Sequence, residues 1–151
     1  MNDIIDARPV EPNDIAWLER GMNRSEFFSR LAREQLALVL PYMLMIRYAP
    51  GAVICAEGDR GDAMYLIYAG EVAVNKRGRS EPVARLRDGD FFGEMALLFG
   101  EPRSATVSAE IETEVFCLAS EDFERVVGRS PDMTDALRRL ADTRRRELTP
   151  A

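Results

Sequence analysis

Phe91-Phe92-Gly93-Glu94-Met95-Ala96-Leu97-Leu98, closed by Pro102-Arg103-Ser104-Ala105-Thr106-Val107, sets a carboxylate at the start of a short apolar turn and a guanidinium nine residues later. A charge inside an apolar run is costly unless something compensates it, and a bound ligand can do so. A helical turn starting after Gly93 would present unpaired backbone N–H groups, and such a turn seats a phosphate. Arg103 offers a fork of donors to the same oxygens, and Ser104 adds an amide and a hydroxyl. Glu94, an acceptor only when ionised, suits a sugar hydroxyl. Gly93 leaves room for a close approach. The residues together describe a pocket for a ribose-phosphate with no catalytic machinery around it. A plain salt bridge between Glu94 and Arg103 on a loop accounts for the same two charges.

Outward from this segment, residues 45–119 carry a period of two, punctuated by Pro50-Gly51, Gly58, Gly61, Gly70, Gly78 and Gly89. Strands are expected at 46–48, 53–56, 64–69, 71–75, 82–86, 105–109 and 115–118. Many short strands with regular turn signals predict an antiparallel β-roll or jelly roll rather than a parallel sheet. Residues 94–98 stand apart as a single helical turn between strands.

Both flanks read as helical. Pro12 to Met22 carries Ile15, Trp17 and Leu18, and the stretch from Ser25 to Leu40 carries Phe27, Phe28, Leu31, Leu36, Val39 and Leu40 before Pro41 stops it. The extreme N-terminus, with Asp3, Asp6, Pro9 and Pro12, is expected to be mobile. After residue 119, Ser120 caps a helix with Glu121 and Asp122 in its first turn, and Gly128 ends it. Ser130-Pro131 starts a last helix whose Met133, Leu137, Leu140 and Arg144 share one face. The fold class is therefore mainly β with flanking helices: N-terminal helices, a β-roll, a short phosphate-binding helix and two C-terminal helices. The expected boundaries are a partly helical extension at 1–24, then one domain at 25–147 and a tail at 148–151. Within the domain, helices occupy 25–44, the roll 45–119 and the C-terminal helices 120–147.

Composition narrows the function classes. The chain has 151 residues, 20 basic against 26 acidic, for a formal net charge of −6. An acidic balance argues against nucleic acid as a partner. With no histidine, the commonest general base and transition-metal ligand are both missing. Neither a metal site nor an enzyme is expected. Cys55 and Cys117 lie in apolar strand-like runs and read as buried free thiols. The apolar runs are too short to span a membrane, so no membrane insertion is expected and the location is read as cytoplasmic.

The quoted segment resembles the phosphate-binding cassette of the cyclic-nucleotide-binding domain family. That pattern is a Phe-Gly-Glu-apolar-Ala-Leu turn, a variable loop, then Pro-Arg-Ser/Ala/Thr-Ala-Thr-Val. It is matched by Phe92 to Leu97 and Pro102 to Val107 without departure. Gly51-Ala52-Val53-Ile54, Glu57-Gly58-Asp59, Asp62 to Ile67 and Gly70-Glu71-Val72 resemble the family's first strands. The likeness covers roughly residues 25–147 and extends to the cytoplasmic domains of bacterial cyclic-nucleotide-gated potassium channels.

The resemblance implies that Glu94 binds the ribose 2′-hydroxyl and Arg103 the exocyclic phosphate oxygens, with the amides of Met95, Ala96 and Ser104 completing the cradle beside Gly93. It implies Val74 and Val83 on the base and sugar side, and Leu137 and Leu140 as an apolar lid. Arg144 would reach the purine. The small hydroxyl of Ser104 favours cAMP over cGMP. No catalytic cofactor is implied. The expected role is a sensor that repositions its C-terminal helices for an unknown downstream protein or a covalently attached effector. Met1 favours a freestanding receptor; the alternatives are a regulatory domain excised from a larger channel or transcription regulator, or an interaction domain with a vestigial pocket. A phosphodiesterase using Glu94, Asp59 and Asp62 is the enzyme alternative, and without His or a tight carboxylate cluster its metal site is hard to build.

Overall fold

In the computed structural model the described residues are 3–22, 37–93, 101–127, 129, 131–132, 134–135, 138–139, 142 and 146. Alternation of side chains builds two sheets from nine strands among them. These are β1 (Ile4–Pro9), β2 (Leu44–Tyr48), β3 (Val53–Cys55), β4 (Ala63–Ala69), β5 (Glu71–Asn75), β6 (Ala84–Arg87), β7 (Phe91–Phe92), β8 (Thr106–Ala109) and β9 (Thr113–Ala119). One sheet runs β1-β2-β9-β4-β7 and the other β3-β8-β5-β6, with every named pair antiparallel. Two helices are named, α1 (Pro12–Met22) and α2 (Ser120–Val127), together with a 3₁₀ turn at Leu40–Tyr42.

The five-stranded sheet is apolar on both faces at its centre, which is why β4 reads as an unbroken apolar run. Met64 and Leu66 of β4 and Phe116 and Leu118 of β9 point to the helical side, where they pack with Leu18, Val39, Leu40, Met43, Met45 and Phe91. Trp17 lies edge-on to Tyr68, ring centroids 4.6 Å apart, and adds to that layer. The opposite set, Ala63, Tyr65 and Ile67 with Val115, faces the roll interior and packs on Val72, Val74, Phe92, Ala105 and Val107. A period of two thus divides one strand between two cores.

Chain passage from the first sheet to the second occurs at Gly70, with φ +139°. A Cβ there would lie 2.4 Å from Thr113 Oγ1. Buried Thr113 donates that hydroxyl to Ile111 O at 2.8 Å and accepts from the Glu71 N–H at 3.3 Å, closing the corner where β4 turns into β5.

The structure corrects the reading of the N-terminus. Ile4–Pro9 is a strand paired with β2 from Ile4↔Tyr48 to Pro9↔Leu44, with a bulge between Ile4 and Asp6. Its side chains are mostly exposed, so little burial marked it in the sequence. The edge of β2 supplies the pairing, and context of this kind decides strand formation more than intrinsic preference does. Arg8 then ties the strand to α1 through Asp14, with N–O distances of 2.7 and 3.2 Å. Asp14 Oδ2 also accepts the Glu11 N–H at 2.8 Å, the reciprocal half of a capping box ahead of Pro12.

The expected helix at 12–22 and the seven expected strands are present, with no end shifted by more than two residues. Phe91–Phe92, absent from the expected strands, is a short strand paired with Tyr65 and Leu66. Pro41 does stop the preceding helical run, in a 3₁₀ turn rather than an abrupt break. Phe27, Phe28 and Leu31, the turn at 94–98, Gly128, and the lid positions Met133, Leu137, Leu140 and Arg144 lie outside the described residues.

Candidate functional site around Arg103

Arg103 is buried, 8% exposed, in a chain whose other buried polar residues, Asp14 and Thr113, lie elsewhere among the described residues. Its backbone is gripped from both sides by the preceding turn: its N–H donates to Asp59 O at 2.7 Å and its carbonyl accepts from Gly58 N at 2.9 Å. Pro102 forms an isolated bridge with Arg60 beside it.

The guanidinium reaches inward. Nη2 donates to Ala63 O at 2.8 Å and Nη1 to Gly93 O at 3.0 Å. The Tyr65 ring lies below, its centroid 5.9 Å from the guanidinium carbon, and stacks on Phe92 at 5.0 Å. Among the described residues the carboxylate within salt-bridge reach is Asp62, at 4.0 Å and with its side chain 87% exposed. A pair that solvated contributes little. A buried positive charge is thus held mainly by neutral carbonyls, the environment in which an anion gains most.

Gly93 has a close reason for being glycine. Its φ is +89°, and a Cβ would meet Arg103 Nη1 at 2.7 Å and Ala63 O at 2.9 Å. The missing side chain makes space for the guanidinium itself, where the sequence suggested space for a ligand.

The surrounding interior is strongly desolvating. Burial pushes the Cys55 and Cys117 thiols up to about 11 and the Tyr48 hydroxyl up to about 12, and it raises Tyr65 further. The positive charge of Arg103 pulls Cys55, Cys117 and Tyr65 the opposite way, so its field reaches across the roll. Both cysteines are free thiols, as expected; Cys55 is buried, whereas Cys117, expected to be buried too, is only half-buried.

Of the expected site residues, the fold brings Gly93, Arg103, Val74 and Val83 to one region. Val83 donates its N–H to Val74 O at 2.7 Å, and both pack in the interior cluster that includes Tyr65, Phe92 and Ala105. Ser104 follows Arg103 on the exposed side. Glu94, Met95, Ala96, Leu137, Leu140 and Arg144 lie outside the described residues. Sequence reasoning missed Ala63 and Tyr65 and gave Asp62 a role only in the enzyme alternative, because their contact with Arg103 spans some forty positions and β4 carries only the signature of a buried strand. No group of three or more His, Cys, Asp or Glu among the described residues could hold a metal. No helix among them is long and apolar enough to cross a membrane.

Comparison with known proteins agrees with this architecture. The family model "Cyclic nucleotide-binding domain" matches residues 45–130, more than half of the chain. The cAMP-dependent protein kinase regulatory subunit of Yarrowia lipolytica is 47% identical over 79 residues, covering 52% of this chain and 21% of the relative. A cyclic nucleotide-gated potassium channel of Rhizobium etli is 45% identical over 95 residues, covering 63% of this chain and 26% of the channel. Among solved structures, the regulatory domain of Toxoplasma gondii PKA in co-crystal with cAMP superposes with a TM-score of 0.75 at 28% identity. That match covers 86% of this chain and 48% of the other. The chain thus spans only a fifth to a quarter of these two curated relatives.

Proposed function

The chain belongs to the cyclic nucleotide-binding domain family, and on that premise we propose that it is a cAMP sensor, binding cAMP in preference to cGMP and without catalysing a reaction. The observation that carries this reading is the buried Arg103 guanidinium, presented on the carbonyls of Ala63 and Gly93 with no buried carboxylate among the described residues to neutralise it. A cyclic phosphate, a single negative charge with paired oxygens, matches that fork. In this reading Glu94 takes the ribose 2′-hydroxyl, and the amides of Met95, Ala96 and Ser104 complete the phosphate seat. Val74 and Val83 line the sugar and base side. A vestigial pocket would not need the space that Gly93 keeps open for the guanidinium.

Signalling follows from differential affinity. Bound nucleotide gives Leu137 and Leu140 an apolar surface to cover, with Arg144 over the purine, so the state with the C-terminal helices closed gains population. A downstream protein, or an attached effector, reads the altered surface. The presence of kinase regulatory subunits and channels among the relatives, each much longer than this chain, supports an effector of that kind.

Calorimetric titration with cAMP and cGMP tests the reading. Saturable heat with cAMP and weaker binding of cGMP are expected, with slower hydrogen exchange across residues 131–147 on saturation. No uptake of either nucleotide overturns the function, and unchanged exchange in 131–147 overturns the lid.

A further inference from the structure

Glu57 lies beside the site described above and is bonded to the segments that frame it. Its backbone N–H donates to Thr106 Oγ1 at 2.9 Å. Its carboxylate accepts the Arg77 N–H at 3.0 Å and stands 3.6 Å from Arg77 Nε. The next two residues, Gly58 and Asp59, are the ones that grip the Arg103 backbone, at 2.9 and 2.7 Å. Thr106 opens β8, three residues beyond Arg103, and pairs with Asn75 at the end of β5. Arg77 sits in the turn joining β5 to β6, between Val74 and Val83. One side chain therefore links the strand pair carrying Val74 and Val83 to the turn that sets Arg103.

We propose that Glu57 is a positioning residue for the nucleotide site, fixing Arg103 relative to the Val74–Val83 wall. The inference rests on the reading of that site as a nucleotide pocket. Arg77 is mostly solvated, its side chain 83% exposed, so the ion pair contributes little and the bond from the backbone N–H to the carboxylate is the working contact. A glutamine keeps that acceptor and loses only the charge.

The test compares Glu57→Ala, Glu57→Gln and Thr106→Val by amide hydrogen exchange without ligand and by cAMP titration. In Glu57→Ala the Gly58 and Arg103 amides exchange about tenfold faster and cAMP affinity falls about tenfold, the scale of one lost hydrogen bond. Glu57→Gln stays close to wild type in both, and Thr106→Val shifts both in the direction of the alanine variant. Amides of β4 and β9 keep wild-type protection, which a general loss of stability would not allow. Should Glu57→Ala fail to fold, the other two variants carry the same comparison. Unchanged exchange at Gly58 and Arg103, unchanged affinity, or glutamine behaving like alanine overturns the proposal. A wild-type chain that takes up no cAMP removes the nucleotide reading instead; the exchange measurement needs no ligand and tells the two failures apart.

Discussion

Arg103 and Gly93 occupy one another's space, and that mutual exclusion sets the sharpest single-residue expectation. Gly93→Ala forces a Cβ at positive φ onto Nη1 and the Ala63 carbonyl. It should lower stability by about 1–3 kcal/mol and weaken nucleotide uptake together, as read by urea melts and titration; a variant as stable and as tight as wild type contradicts the geometry. The interior around the guanidinium gives a second expectation. With both thiols pushed up to about 11, Cys55 and Cys117 hold about one thiolate in a thousand at pH 8. Labelling by a thiol-disulfide reagent should be slow in the folded chain and complete in denaturant; rapid labelling of the native protein at both sites would refute the burial. The glycine and the arginine were legible in the sequence because both sit in one short segment whose charges oppose its apolar pattern. Ala63 and Tyr65 were not, because β4 meets the Arg103 guanidinium across some forty positions of sequence, which no local pattern records.

Elements divide the same way. β4 and β9 announced themselves as short apolar runs, and α1 by Pro12 and the apolar Trp17 and Leu18. β1 left no such mark, since a strand lying on an edge with exposed side chains gains its order from its neighbour. Its attachment carries a pH signature. Asp14 is held below its ordinary value of 3.8, first by its hydrogen bond to Arg8, while burial opposes the shift. A lowered native value means the Arg8–Asp14 contact stabilises fully above pH 3.8 and loses its contribution as pH falls through the native value. Asp14→Asn should therefore cost about 2 kcal/mol at neutral pH and narrow its deficit in acid, measured by melts from pH 7 to pH 3. An equal deficit at both ends would separate Asp14 from this linkage.

At the scale of the whole molecule, the five-stranded sheet lies between a helical core and the packed interior of the roll, and the charge balance must be reconciled with an anionic ligand. The chain is acidic overall, but charges beyond about 8 Å are largely screened at physiological salt, whereas Arg103 acts at contact distance within a desolvated interior. Loss of one partner from a buried, hydrogen-bonded charge pair costs roughly 2–5 kcal/mol. The decisive measurement is a cAMP titration of Arg103→Ala beside wild type, with both confirmed folded. Binding weakened by about one and a half to three and a half decades is the expected result; an affinity equal to wild type would place the phosphate elsewhere and contradict the account.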